Sequence, residues 1–248
     1  MKAAPVSITG IGWATAGGLG RGREGSAFSL EAGVLAPLSR KDVFDAPNPR
    51  FGRMSDYSKL GLAAVAFALR DAGLDRWEAK RPIGLAAGSE LGCLATDLDY
   101  YDTVLPAGGG LASPALFAYT LANCLLGEAA IQFGLTGPGF VVTGEPGGGR
   151  LEPLRVALEW IESGECDAAV AGCCDFPPLA ALPGIPRPLP GSLFLVLERT
   201  PQPDAERYGT LALACDDAIL RDGAPAAALV GIVGDCLSSF KDRNGSRP

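Results

Sequence analysis

The chain has 248 residues, 48% of them apolar and only 7% aromatic, with 34 glycines and 20 prolines. That is enough apolar material for one large domain or two packed halves and excludes a disordered chain; the glycine-rich, aromatic-poor balance favours tight turns and close backbone approach over long helical bundles, hence an α/β fold. A formal net charge of −7 speaks against a nucleic-acid backbone as partner, which needs clustered lysine and arginine, and Arg50, Arg53 and Lys59 form the only basic cluster near a motif, where an acidic partner could dock.

Met1 to Gly20 carries one lysine, and Gly10, Gly12, Gly17 and Gly18 break its apolar stretch without a cleavage site. No apolar run reaches the about eighteen residues of a membrane span, so a soluble, cytoplasmic protein is expected. Val6 to Ile11 is a short β-branched run that predicts a buried first strand followed by a glycine turn. It is no dinucleotide fingerprint, because Thr15 stands where a third glycine would be needed. Ser58 to Gly73 places Leu60, Ala63, Ala64, Phe67, Ala68 and Ala72 at helical spacing, with Ser55 or Asp56 as cap and Gly73 as stop. Ile83 to Ala87 predicts a buried strand ending at Gly88, and Ser113 to Phe133 one long helical region opened by Ser113-Pro114.

Phe140 to Thr143 is a further strand, followed by a glycine-rich turn over residues 144–149 and a helix from about Leu151 to Ser163; Ala168 to Gly172 is another buried strand. The turn lacks the Gly-Lys-Ser/Thr of a phosphate loop, so its glycines are assigned to tight packing. Strands alternating with helices at this spacing imply right-handed crossovers and a sheet covered on both faces. Six prolines between Pro177 and Pro190 predict an ordered surface connection over residues 176–191. Ser192 to Glu198, Thr210 to Cys215 and Ala226 to Val233 are expected as closing strands of one domain over residues 1–237, with 238–248 a flexible tail.

The seven cysteines (Cys93, Cys124, Cys166, Cys173, Cys174, Cys215 and Cys236) form no C-x-x-C pair, and the chain has no histidine. Neither a metal site nor a disulfide framework is expected, and nothing points to a cofactor. Cys173 and Cys174 could be imagined as a nucleophile, but adjacent strand residues face opposite ways and no histidine is present to act as base, so both are assigned to the core. Glu90, Asp97, Asp99 and Asp102, with Tyr100 and Tyr101 interleaved, are assigned to a solvated face.

Several segments in order resemble the N-terminal half of the β-ketoacyl synthase family, of thiolase fold. Val6 to Gly12 is similar to the family's opening strand, Arg70 to Leu74 to the end of its first long helix, and Ser113 to Phe117, Asn123 and Phe133 to Pro138 to the run from the dimer-interface segment to the Gly-Pro turn before the nucleophile strand. The resemblance implies a layered α-β-α half-thiolase fold with a mixed, mostly parallel sheet. Active members carry a cysteine after that strand, at a helix N-terminus that stabilises a thiolate. Counting from Gly137-Pro138 puts Pro146 there, with Glu145 before it, and neither supplies a thiolate. The family's two catalytic histidines come from a C-terminal half that this sequence is not expected to contain.

The chain is therefore expected to be a pseudo-enzyme, similar to the chain-length-factor subunits of polyketide and aryl polyene synthases. By resemblance, Leu98, Tyr101, Leu105, Phe117, Tyr119 and Asn123 lie in the stretch that crosses the dimer interface and lines the partner's tunnel; for any one of them, ordinary core or dimer packing remains an open reading. The implied partners are a full-length β-ketoacyl synthase, as heterodimer, and an acyl carrier protein bearing a phosphopantetheine-linked acyl chain. The alternative is a homodimeric scaffold or carrier-binding module without catalytic role.

Overall fold

A computed structural model describes residues 4–25, 27–144, 151–185 and 187–245. The first strand, β1 (Val6–Thr15), is buried along all ten residues. It does not turn at its glycines but runs through them, turning only at residues 16–17 into β2 (Gly18–Arg21), which pairs with the short β3 (Glu24–Gly25). The glycines serve a different end: a Cβ on Gly12 would lie 2.4 Å from the carbonyl oxygen of Ala64, and one on Gly10 2.3 Å from that of Ala68. Helix backbone rests directly on strand backbone there, a contact only glycine permits.

After the short α1 (Arg40–Val43) comes that helix, α2 (Asp56–Asp71). Ser55 caps it, accepting from the Ser58 amide at 3.3 Å. It ends in a Schellman closure, with Leu74 N donating to Leu69 O (2.7 Å), Gly73 N to Arg70 O (3.1 Å), and Gly73 at φ +73°. Next are β4 (Ile83–Ser89), α3 (Leu94–Val104), α4 (Pro114–Phe117), α5 (Cys124–Phe133), β5 (Gly139–Thr143), α6 (Glu152–Ser163), β6 (Ala168–Asp175), β7 (Gly191–Glu198), β8 (Gly209–Leu213), β9 (Ile219–Arg221), β10 (Ala224–Pro225) and α7 (Leu229–Gly245).

The sheet order is β10-β9-β8-β1-β7-β6-β4-β5. β4 runs parallel to both β5 and β6, while β7 lies antiparallel between β6 and β1. Four of the five central strands thus point one way and β7 alone is reversed. The strands alternate their side chains between two cores. Phe194 and Val196 of β7 join the core under α2 and α5, whereas Leu193, Leu195 and Leu197 join the core under α6 and α7. The architecture is the layered α-β-α arrangement that the sequence led us to expect.

Two expected elements differ. The region 113–133 is not one helix, because the chain tightens into i→i−3 bonds at Tyr119 and Thr120 and stops, Thr120 Oγ1 donating to Phe117 O at 2.9 Å. The break lets Tyr119 reach Glu128, which a continuous helix would carry about 13 Å further along its axis. Residues 226–233 are not a strand: β9 and β10 close the sheet earlier, and α7 starts at Leu229. Leu229, Ile232, Val233 and Cys236, at i, i+3, i+4 and i+7, pack on the sheet. The segment expected as a flexible tail from residue 238 continues α7 as far as Gly245. Of the expected Pro-rich connection over 176–191, Gly191 already belongs to β7, and the other described residues form no helix or strand.

Candidate functional site

The parallel strands β4, β5 and β6 end together, at the edge where open α/β sheets form their clefts. Ser89 ends β4 and Asp175 ends β6, and both are buried. Ser89 Oγ donates to Asp175 Oδ1 (2.9 Å) and accepts from Gly92 N (2.7 Å), while Glu90 N donates to the same carboxylate oxygen (2.8 Å). Gly144 N, just after β5, donates to Ser89 O (3.2 Å). Tyr57 of α2 is buried beside this cluster, and desolvation pushes its phenol far above the ordinary range. These hydrogen bonds tie the ends of β4 and β6 together. Nothing in the family-like motifs had singled out Ser89 or Asp175; the available signal was a polar residue ending each of two apolar strands.

Pro146 and Glu145, the residues expected at the nucleophile position, lie outside the described residues, as does most of the glycine-rich turn. Burial, with Asp97 adding to it, pushes the Cys93 thiol up to about 12, and burial also raises Cys124. Cys173 and Cys174 are both buried and divide between the two cores, as adjacent strand residues must.

The six expected interface residues fall into two groups. Tyr101 and Leu105 at the end of α3 and Phe117 at the end of α4 are exposed, Phe117 stacking at 5.4 Å on half-buried Tyr100, with Leu98 half-buried on the same helix. Tyr119 instead turns inward: its hydroxyl donates to Glu128 Oε1 at 2.9 Å, and the same carboxylate takes Arg50 Nε and Nη2 at 2.9 and 2.8 Å. Burial first, then Glu128, raises the Tyr119 phenol to about 12. Asn123 sits exposed at the start of α5 without capping it by its side chain. The Glu128 cluster, which sequence reasoning missed, fixes the α4–α5 junction. It also consumes Arg50, and Lys59 pairs with Asp56 at 2.9 Å. Of the expected basic cluster, two charges are thus paired locally, which weakens it as a docking patch for an acidic partner.

Among the described residues, seven of the thirteen exposed large apolar side chains fall between Tyr101 and Phe140, a stretch of about one sixth of the chain. β5 ends the sheet in this stretch, with only β4 beside it.

Helices on both faces of a sheet with one reversed central strand, and a mouth at the ends of three parallel strands, define a thiolase-like half-domain. Residues 36–178 match the family described as β-ketoacyl synthase, N-terminal domain, and the chain belongs to that family. It is 29% identical over 227 residues to a putative polyketide β-ketoacyl synthase 1 of Streptomyces virginiae, covering 81% of this chain and 51% of that protein. It is 31% identical over 121 residues to 3-oxoacyl-[acyl-carrier-protein] synthase 2 of Vibrio cholerae, covering 48% and 29%. The chain spans about half the length of these curated relatives or less. Among solved structures, the ishigamide ketosynthase/chain length factor superposes with a TM-score of 0.66 at 20% identity, covering 85% of this chain and 62% of that one. The ketosynthase ApeO in complex with its chain length factor ApeC from Xenorhabdus doucetiae gives 0.52 at 19% identity, covering 80% of each. No helix among the described residues is long and apolar enough to cross a membrane.

Proposed function

We propose that this chain is a non-catalytic subunit that pairs with an active β-ketoacyl synthase in polyketide, aryl polyene or fatty-acyl chain synthesis and shapes the acyl tunnel of that partner. The observation that carries the reading is the β5 edge. Among the described residues, the other sheet ends are two-residue strands, β3 and β10, and β10 includes Pro225, which has no amide to donate. β5 is five residues long and carries Phe140 half-exposed, and the segment that precedes it in the chain exposes Tyr101, Leu105, Phe117, Leu121 and Ile131 as well. Such a strand and surface call for a partner.

Pro146 at the position of the family's nucleophile supports a non-catalytic role, since a proline side chain cannot carry an acyl group. The growing chain would reach the complex on an acyl carrier protein, handled by the partner's own nucleophile. The ketosynthase and chain-length-factor complexes among the similar folds make such pairing a natural use of this architecture.

The test is co-expression with the full-length synthase encoded nearest to this chain, followed by size-exclusion chromatography with mass detection. A 1:1 complex is expected, weakened at least about a hundredfold by Phe117→Asp, an exposed residue whose change leaves the core intact. A homodimer indifferent to every synthase offered would refute the pairing and favour a scaffold.

A further inference from the structure

An apolar concavity lies between the loop after β3 and the Pro-rich connection that follows β6. It encloses about 340 Å³, within the size range of small-molecule sites. Its walls include Val34 on one side and Phe176, Pro177, Leu179 and Pro188 on the other, and Arg187 is the one charged side chain among the described residues that line it. Val34 and Leu179 are 83% and 87% exposed, the two largest exposures among the big apolar residues, and they flank the same groove. Pro177 and Pro188 fix their own φ angles, which narrows the conformations open to this part of the wall. Phe176, forming part of the wall, packs against the core under α2, which anchors the groove to the rigid part of the fold.

We infer that this groove binds an aliphatic carboxylate, the hydrocarbon chain lying between Val34 and Leu179 and the carboxylate meeting Arg187. The charge pattern selects that chemistry. A wholly apolar ligand would leave the guanidinium without use, and a cation would be repelled by it. One Nη2 of Arg187 donates to Leu179 O at 3.3 Å, which holds the head group across the groove while a guanidinium has five donors in all. Two of the remaining donors suit the paired oxygens of a carboxylate. The groove shares no lining residue with the surface proposed for the partner synthase, and its test needs no such partner.

Binding is measured on the full chain alone by isothermal titration with decanoate and dodecanoate, below their micelle concentrations, and with 1-dodecanol as the uncharged control. Saturable 1:1 binding is expected, tightening about threefold to fourfold per added methylene until the groove is filled. Arg187→Ala should weaken dodecanoate about fivefold to tenfold and leave dodecanol unchanged. Leu179→Asp should weaken both, with circular dichroism confirming that each variant is folded. No saturable binding, or a dodecanoate affinity indifferent to Arg187→Ala, would overturn the assignment.

Discussion

Glu128→Ala removes the acceptor at the α4–α5 junction, and its cost can be worked from the contacts. The carboxylate side chain is 7% exposed and takes three hydrogen bonds, two from Arg50 and one from Tyr119. Charged hydrogen bonds contribute about 1.5–3 kcal/mol, but the Arg50 side chain is 53% exposed and regains water when released, so its share is discounted. The expected loss is about 2 kcal/mol. Glu128→Gln keeps an acceptor for Tyr119 and should cost about 1 kcal/mol. Arg50→Ala leaves a buried carboxylate without its cation and should cost about 2 kcal/mol, despite the exposure of Arg50 itself. Urea unfolding of both single variants and the double variant closes the cycle, with an expected coupling of at least about 1 kcal/mol. Coupling within about 0.3 kcal/mol of zero would show that the pair does not hold the junction.

Three further outcomes are expected. Gly12→Ala forces a methyl against the backbone of α2, 2.2 Å from Ala68 N, and should cost about 3 kcal/mol or more by urea unfolding; Gly127→Ala within α5, which meets nothing within 4 Å, should instead stabilise by about 0.5–1 kcal/mol. Asp71 is fully buried, accepts from Ile11 N at 2.9 Å and lies 3.8 Å from Arg23, and burial raises its carboxyl above the ordinary value. Its proton is therefore held more tightly in the folded chain, a stabilisation complete below about pH 3.9 and lost as pH rises through the folded value. The stability difference between the natural chain and Asp71→Asn should shrink or reverse along that rise, and a flat difference from pH 4 to 7 would contradict it. With a thiol-reactive dye at pH 8, exposed Cys215 should react first and buried Cys93 only on unfolding, read by mass spectrometry of the labelled peptides.

The parts of the fold legible in the sequence were those where local and tertiary preferences agree. α2 combines helical spacing, a serine cap and a glycine stop, and tertiary packing reinforces all three. β6 and β7 are apolar runs long enough for strands and too short for helices. The misread parts are those where a distant contact decides. Gly10 and Gly12 look like a turn until α2 is laid across them, and Ala226 to Val233 looks like a strand because apolar residues fill the gaps between its helical contacts. The break after Phe117 depends on Glu128, which the local pattern places in the same helix.

The candidate site divides the same way. Tyr101, Leu105 and Phe117 are exposed, whereas Tyr119 two residues on packs against the core under α2, a division the local sequence pattern does not reveal. The inward turn of Tyr119 and the buried Ser89–Asp175 bond could not be read, since each joins residues from separate elements. Arg50 looked like a free cation for the same reason: its carboxylate lies 78 residues further along the chain.

The uneven ends of the sheet also bear on how far an assembly can grow. A sheet with matching open strands at both ends can recruit copies head to tail without limit, which is the geometry of fibres. Here one end stops at Ala224–Pro225, where the ladder cannot be continued through the proline. Strand addition at β5 therefore uses up the one long edge among the described residues and leaves nothing equivalent behind it. Were the chain to associate by adding a strand at β5, that route alone would give pairs rather than filaments.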